Sequence, residues 1–246
     1  MPRSEKKYYG VARVLSKRGV CSRKEAEEAC RTGKVSLNGK VVFDPETKAT
    51  LNSEICLKGQ KTFATEKLYF AFHKPRGIIC SAKDEKGRIS ILDFFKNLNT
   101  HLFSVGRLDK ASEGLIFVTN DTDFSNRIST SYFPKIYHVK ISRERNFCPT
   151  AEELKMMETG MLVPPRVFTE KEVFLKMQKV RVLRIGEKSC WLEVTLTEGK
   201  NREIRRICKH FQFEVLRLVR VQIGNFKLNA LKPGTYIPIN PKEIFP

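Results

Sequence analysis

VGRLDKASEGLIFVTND, residues 105–121, is the stretch from which the rest of the chain can be read. Leu115-Ile116-Phe117-Val118 is an unbroken apolar run. Gly114 precedes it and the turn-formers Thr119-Asn120-Asp121 close it, the pattern of a buried strand. The residues ahead of the run, Gly106-Arg107-Leu108-Asp109 and the segment ending at Gly114, form two successive loops. Asp109 is therefore expected at the lip of a sheet, with Arg107 two residues away. Read locally, an Arg-x-Asp triplet is an Asx-turn or a structural ion pair. A single carboxylate held at a strand mouth needs an explanation beyond that.

Working outward toward the C-terminus, Lys135-Ile136-Tyr137-His138-Val139-Lys140-Ile141 alternates strictly. Tyr137, Val139 and Ile141 share one face of a strand, while Ile136, His138 and Lys140 share the other. A helix is expected over 150–160, a loop at 163–165, and strands over about 171–185 and 190–197 with a turn at 186–188. From Asn201, a plausible N-cap, the period becomes helical. Ile204, Ile207, Cys208 and Phe211 fall at i, i+3, i+4 and i+7 on a buried face. Arg202, Arg205, Arg206 and Lys209 form a cationic stripe on another. Residues 214–223 read as a strand, 228–234 as a turn, and 236–239 as a last strand.

Toward the N-terminus, residues 68–72 open a strand, 73–77 turn, and Ile78-Ile79-Cys80 resume it. Residues 91–95 are expected to be helical, as are 123–131. Before residue 58 the pattern changes to two short helices and a hairpin. Val11–Leu15 begins the first helix and Gly19 stops it. Ser22-Arg23-Lys24-Glu25 is a capping box for the second, which should run to Thr32. Asn38-Gly39 between Val35–Leu37 and Val41–Phe43 is a hairpin signal, because both residues tolerate the positive φ of a type I′ turn. Ile55–Leu57 adds a strand. The polar segment 58–67 marks a boundary, giving domains at 1–64 and 65–246, joined by a hinge or a tether.

Composition restricts the partners. The 246 residues carry 46 Lys/Arg against 27 Asp/Glu, a net charge of +19 and a pI of about 9.8. Residues 1–40 alone hold eleven Lys/Arg and four acids. Such an excess points to a polyanion, most simply nucleic acid. No run approaches the ~18 apolar residues of a membrane span, and MPRSEKKYYGV lacks a signal-peptide core. The seven Cys show no C-x-x-C pair, and His73, His101, His138 and His210 are scattered. Reduced thiols and no metal site are expected.

The motifs together carry a resemblance. G-R-L-D-x-x-S-x-G-L-I-F-x-T-N-D (106–121), K-P-x-G (74–77), K-x-Y-x-V (135–139), E-G-K-N-R-x-I-R-R-I (198–207) and L-x-R-V-x-I-G (218–224) resemble the RsuA/RluB/RluE/RluF family of pseudouridine synthases. The RluF branch is the nearest. G-V-C-S-R-x-E-A (19–26) and G-x-V-x-L-N-G (33–39) resemble the ribosomal protein S4-type RNA-binding domain.

The resemblance implies an α+β protein. A small S4-type domain is followed by a synthase domain with a mixed, mostly antiparallel central sheet flanked by helices, and an RNA cleft crosses the middle of that sheet. It implies isomerisation of a uridine, most simply in large-subunit ribosomal RNA, with no cofactor because no atom is gained or lost. Asp109 would be the nucleophile, Tyr137 would lie against the target base, and Arg205 would pair with Asp109. Leu218 would pack under the uracil. Arg107, Lys74, Arg76, Arg202 and Arg206 would hold the RNA at the site. Ser22, Arg23, Lys24 and Arg31 would face RNA from the small domain. Many members have Gln at the position of Glu203, so the resemblance gives this residue no role. A monomer in the bacterial cytoplasm is expected. The rival expectations are a catalytically silent ribosomal-RNA-binding or ribosome-assembly protein, and the same enzyme acting on small-subunit RNA or transfer RNA.

Overall fold

The computed structural model describes residues 7–81, 87–98, 100–130, 132–164 and 172–245. Its first part is built as the local signals require. Helix α1 (Val11–Lys17) buries Val11, Ala12, Val14 and Leu15, and Gly19 ends it at φ +75°. Helix α2 (Arg23–Arg31) starts in a complete capping box between Ser22 and Glu25. Strands β1 (Val35–Leu37) and β2 (Lys40–Val41) meet across Asn38 and Gly39, both at positive φ. A second hairpin of the same kind, turned by Lys58 and Gly59, joins β3 (Ile55–Leu57) to β4 (Gln60–Lys61). The four strands form one sheet, ordered β2-β1-β3-β4, and its apolar face closes over α1 and α2.

The second part is organised by a nine-stranded sheet. Its elements in chain order are β5 (Tyr69–Lys74), β6 (Phe103–Val105), β7 (Glu113–Thr119), α3 (Thr122–Thr130), β8 (Lys135–Ser142), α4 (Ala151–Thr159), β9 (Lys179–Ile185), β10 (Cys190–Leu196), α5 (Glu203–His210), β11 (Glu214–Ile223) and β12 (Tyr236–Pro238). The order across the main path is β9-β10-β8-β11-β7-β5-β12, with Phe226–Lys227 pairing on β11 and β6 on β7. One pair, β11 with β7, is parallel and the rest are antiparallel.

That parallel pair opens the cleft. Only Val219↔Glu113 and Arg220↔Gly114 are in register. Farther along, β7 pairs instead with β6, at Phe103↔Thr119 to Val105↔Phe117. The sheet therefore forks, and residues 106–112 thread through the gap. Gly114 is obligatory at the fork: it lies at φ +109°, and a Cβ there would stand 2.3 Å from the Arg220 carbonyl oxygen. All seven residues of β7 are buried, which matches the apolar run in the sequence. Arg217 makes a two-pronged pair with buried Glu113 (2.8 and 3.0 Å).

The segment between the two parts is bonded on both sides. Asn120, fully buried, accepts from Leu68 N and donates to Glu66 O and Thr65 Oγ1. Thr65 in turn donates its N–H and its hydroxyl to Arg18 O. Lys17 pairs with Asp123 at 2.6 Å, and Lys67 Nζ donates to Lys17 O. Arg18 is itself buried and donates to Thr62, Leu51 and Ser53 carbonyls. The end of β7 thus joins the small sheet through a hydrogen-bonded strap, not a free tether.

Three local expectations change. Ile78–Cys80 is not a strand: only Ile79 bridges, to Ser90. Val163 belongs to a short strand, Met161–Val163, paired with Val173–Leu175. Helix α5 begins at Glu203, capped by Arg202 in left-handed backbone instead of by Asn201. The expected helix end at Ser131, the loop residue Pro165 and the strand start at 171 lie outside the described residues.

Candidate active site

A cavity of about 300 Å³ opens at the fork. Asp109, Arg107, Tyr137, Arg202, Arg205 and Leu218 line it, and so do Lys135, Lys200, Glu203 and Arg220. Six of these ten side chains are cations, so the cavity attracts an anion, and its apolar floor of Leu218 and Ile204 suits a planar ring.

The loop carrying Asp109 is fixed from three directions. Lys74 closes β5 at 0% exposure. Its ammonium donates to the carbonyls of Pro75 (3.1 Å), Asp109 (3.1 Å) and Ser112 (2.7 Å). Burial pushes its pKa below the ordinary lysine value, and the facing Cys80, Asp109 and Glu113 oppose that. Gly77 N donates to Lys110 O at 2.8 Å, and Cys80 Sγ lies 3.4 Å from both Leu108 N and O. From the far side, Arg205 Nη2 reaches Ala111 O (3.2 Å) and Ser112 Oγ (3.4 Å). A loop so held presents its carboxylate to the cavity with its ordering cost already met in the fold.

The side chain of Asp109 is 34% exposed and faces the cavity. Its nearest cation is Arg202, Nη1 to Oδ2 at 3.2 Å. Arg205 Nε stands 3.8 Å from the same oxygen, is buried and has no hydrogen-bond partner. Burial lowers the Arg205 pKa, Arg202 lowers it further, and Asp109 opposes both. Tyr137, 7% exposed on β8, faces the cavity from the opposite wall. Its register partner is Arg220 of β11, and Val139 pairs with Leu218. His138 points to the other face, 3.5 Å from Glu193.

The structure brings together Asp109, Arg107, Tyr137, Arg202, Arg205 and Leu218. It removes others from the site. Lys74 was expected to contact RNA, but it is wholly buried and spends its donors on the loop. Arg206 donates to Pro164 O (3.0 Å) and lines a neighbouring cationic recess with Lys209 and His210. Arg76 is exposed at the rim, Nη1 3.4 Å from Leu216 O. In the small domain, the Ser22 hydroxyl is consumed by its cap, accepting from Glu25 N and donating to Glu25 Oε2. Arg23 pairs with Glu27 and Glu46 at 3.0 Å, and Arg31 reaches Glu27 and Glu28 at 3.8 and 4.0 Å. Lys24 is exposed.

Sequence reasoning missed Lys135 and Glu203. Lys135 was findable: the alternation that puts Tyr137 and Val139 on one face puts Lys135 there too. Glu203 was not, because an acid at the first position of a helix ordinarily points to solvent. Here it is 2% exposed. Burial and then Glu198 push its carboxyl up to about 7, opposed by the Lys200 N–H and by the charges of Lys200 and Arg206.

Comparison with known proteins gives a consistent result. A family model described as RNA pseudouridylate synthase matches residues 68–210, and an S4 domain model matches residues 11–55. The chain is 34% identical over 237 residues to ribosomal large subunit pseudouridine synthase B of Bacillus subtilis (strain 168), covering 95% of this chain and 93% of that protein. It is 33% identical, with the same coverage, to an uncharacterized RNA pseudouridine synthase of Rickettsia typhi. A crystal structure of a pseudouridylate synthase, 24% identical, aligns over 96% of this chain and 98% of that one with a TM-score of 0.63, a likeness of fold.

Proposed function

The chain belongs to the RNA pseudouridylate synthase family, and from that premise we propose that it isomerises one uridine of ribosomal RNA, in the large subunit, with Asp109 as its nucleophile. The observation that carries the assignment is the setting of Asp109. It is a carboxylate on an immobilised loop, paired with a cation, facing a ring-sized cavity across from Tyr137 and Leu218. The large-subunit target rests on the Bacillus subtilis relative.

The reaction breaks the bond between the sugar C1′ and uracil N1 and forms one between C1′ and C5. The proton on C5 must leave, and N1 gains one. A carboxylate can attack, hold one fragment and depart, which suits Asp109. Arg202 and Arg205 set positive charge beside the same carboxylate oxygen, at 3.2 and 3.8 Å. Tyr137 stacks on the base, an interaction worth roughly 1–3 kcal/mol, and its hydroxyl is the nearby group for the C5 proton. Leu218 supports the ring from below. Arg107, exposed on the loop, takes the backbone of the flipped nucleotide, whose unstacking costs a few kcal/mol.

Residues 1–64 form a second RNA-binding unit by this reading, and 65–246 the catalytic one. The exposed cations of α2 contribute affinity with little sequence choice. Mapping pseudouridines in total RNA by carbodiimide modification and primer extension, with and without the gene, tests the whole. One stop in large-subunit RNA should vanish without the gene and stay absent with an Asp109→Asn copy. A stop lost from small-subunit or transfer RNA instead would move the target. An unchanged map would favour a binding protein.

A further inference from the structure

We propose that Glu203 is a positioning residue: its buried carboxyl closes the turn from Lys200 to Glu203 and so sets Arg202 in the backbone conformation from which its guanidinium reaches Asp109. This rests on the reading of Asp109 as the reacting carboxylate.

The turn is closed twice by one residue. Glu203 N donates to Lys200 O at 3.2 Å, and Lys200 N donates back to Glu203 Oε2 at 3.2 Å. Between them Arg202 is held at φ 51°, ψ 33°, a left-handed conformation that L side chains avoid. No side chain caps helix α5 at Arg202. The reciprocal pair from Glu203 therefore substitutes for a cap, one step into the helix. Arg206 N then donates to Arg202 O at 2.9 Å, which starts the helical ladder. In ordinary right-handed backbone Arg202 would leave from another direction, and its 3.2 Å contact with Asp109 would be lost.

The carboxyl is not there as one half of an ion pair. The Lys200 ammonium is spent on Glu198 Oε1 (2.8 Å) and Phe174 O (3.1 Å). The Arg206 guanidinium donates from Nη2 to Pro164 O, and its buried Nε makes no hydrogen bond to Glu203. Glu203 Oε1 is buried without a hydrogen-bond partner. The groups facing Glu203 are thus Glu198, which disfavours its charge, and Lys200 and Arg206, which favour it from a distance. Its neutral form still accepts from Lys200 N, although that contact favours the ionised form. Ionisation therefore changes how firmly the turn is held, and kcat should show an inflection near pH 7, where Glu203 titrates.

The test is a double-mutant cycle on full-length protein with a transcribed ribosomal RNA fragment, reading kcat and KM for pseudouridine formation. Glu203→Ala should lower kcat about tenfold with KM nearly unchanged. Glu203→Gln keeps the acceptor and should restore most of kcat while abolishing the inflection near pH 7. In an Arg202→Ala background, Glu203→Ala should cost nothing further. Additive losses, or full activity of Glu203→Ala, would overturn the proposal. If Glu203→Ala does not fold, Glu203→Gln decides alone: an inflection that persists refutes the role and one that disappears supports it. Activity surviving in Asp109→Asn would sink the nucleophile assignment separately, and the cycle would still be readable.

Discussion

Two loops meet at Asp109, and they are held in opposite ways. Residues 106–112 are fastened by groups from β5, from the turn after it and from α5: the buried Lys74 ammonium, Gly77 N, Cys80 Sγ and the Arg205 guanidinium. Residues 199–202, which bring Arg202, are held by the Glu203 carboxyl on Lys200 N and by the Lys200 ammonium on Phe174 O. The first loop is preorganised by redundancy; the second depends on a group poised to change charge. The Asp109 carboxylate is therefore fixed and its counter-ion is the adjustable part. Electrostatic preorganisation is effective where donors need not move during the reaction, so the adjustable loop is where the rate can be tuned.

This contrast can be broken from either side. The largest effect belongs to the shared point. Asp109→Asn should lower kcat by at least about 10³-fold, because an amide cannot act as the nucleophile, while the melting temperature stays close to wild type. Lys74→Met breaks the redundant loop. It leaves three carbonyls without their charged donor, which should cost roughly 3 kcal/mol of stability together with a large loss of kcat; denaturant melts and steady-state kinetics would show both. A stable Lys74→Met variant with altered RNA affinity alone would restore the surface role first expected of this lysine. Arg202→Ala should cost about tenfold in kcat with stability nearly unchanged, since its contact with Asp109 is partly exposed.

A subtler break concerns pH and stability. Glu203 has its carboxyl raised from 4.5 to about 7, so the folded protein holds that proton more tightly than the unfolded chain. Its contribution is complete below about pH 4.5 and is lost as pH rises through 7. Glu203→Gln should therefore gain stability relative to wild type between pH 5 and pH 8, by up to roughly 3 kcal/mol, read from denaturant melts at each pH. A constant difference across that range would mean that the carboxyl is not held neutral. The smallest effect lies farthest away. Because Arg23 is already paired with two glutamates, replacing Arg23 and Lys24 with Ala should reduce the salt slope of RNA binding by about one unit instead of two, as read from fluorescence titrations.

Much of this was legible in the sequence because it rests on period and turn chemistry. The apolar run of β7, the alternation of β8, the ten-residue β11, the capping box of α2 and the Asn38-Gly39 hairpin are all where their patterns place them. Tyr137 and Leu218, singled out from the motifs, both line the cavity. What could not be read depends on long-range burial. Lys74 stands in a Lys-Pro-Arg-Gly turn that looks solvated. Its neighbours in space, Asp109 and Ser112, are more than thirty positions away in sequence. Arg205 was favoured over Arg202 as the partner of Asp109, yet Arg202 is nearer. The left-handed backbone that brings it there has no residue signature, since glycine and asparagine, not arginine, usually mark it.

The strand β7 has one more consequence. Its first residue follows directly on the loop of Asp109, and its end passes into Asn120, which grips the strap to the small domain. A seven-residue strand spans about 23 Å, and this one is buried throughout, so it can neither stretch nor bow. It acts as a ruler. RNA that touched both the small domain and the cavity would be measured against that fixed length.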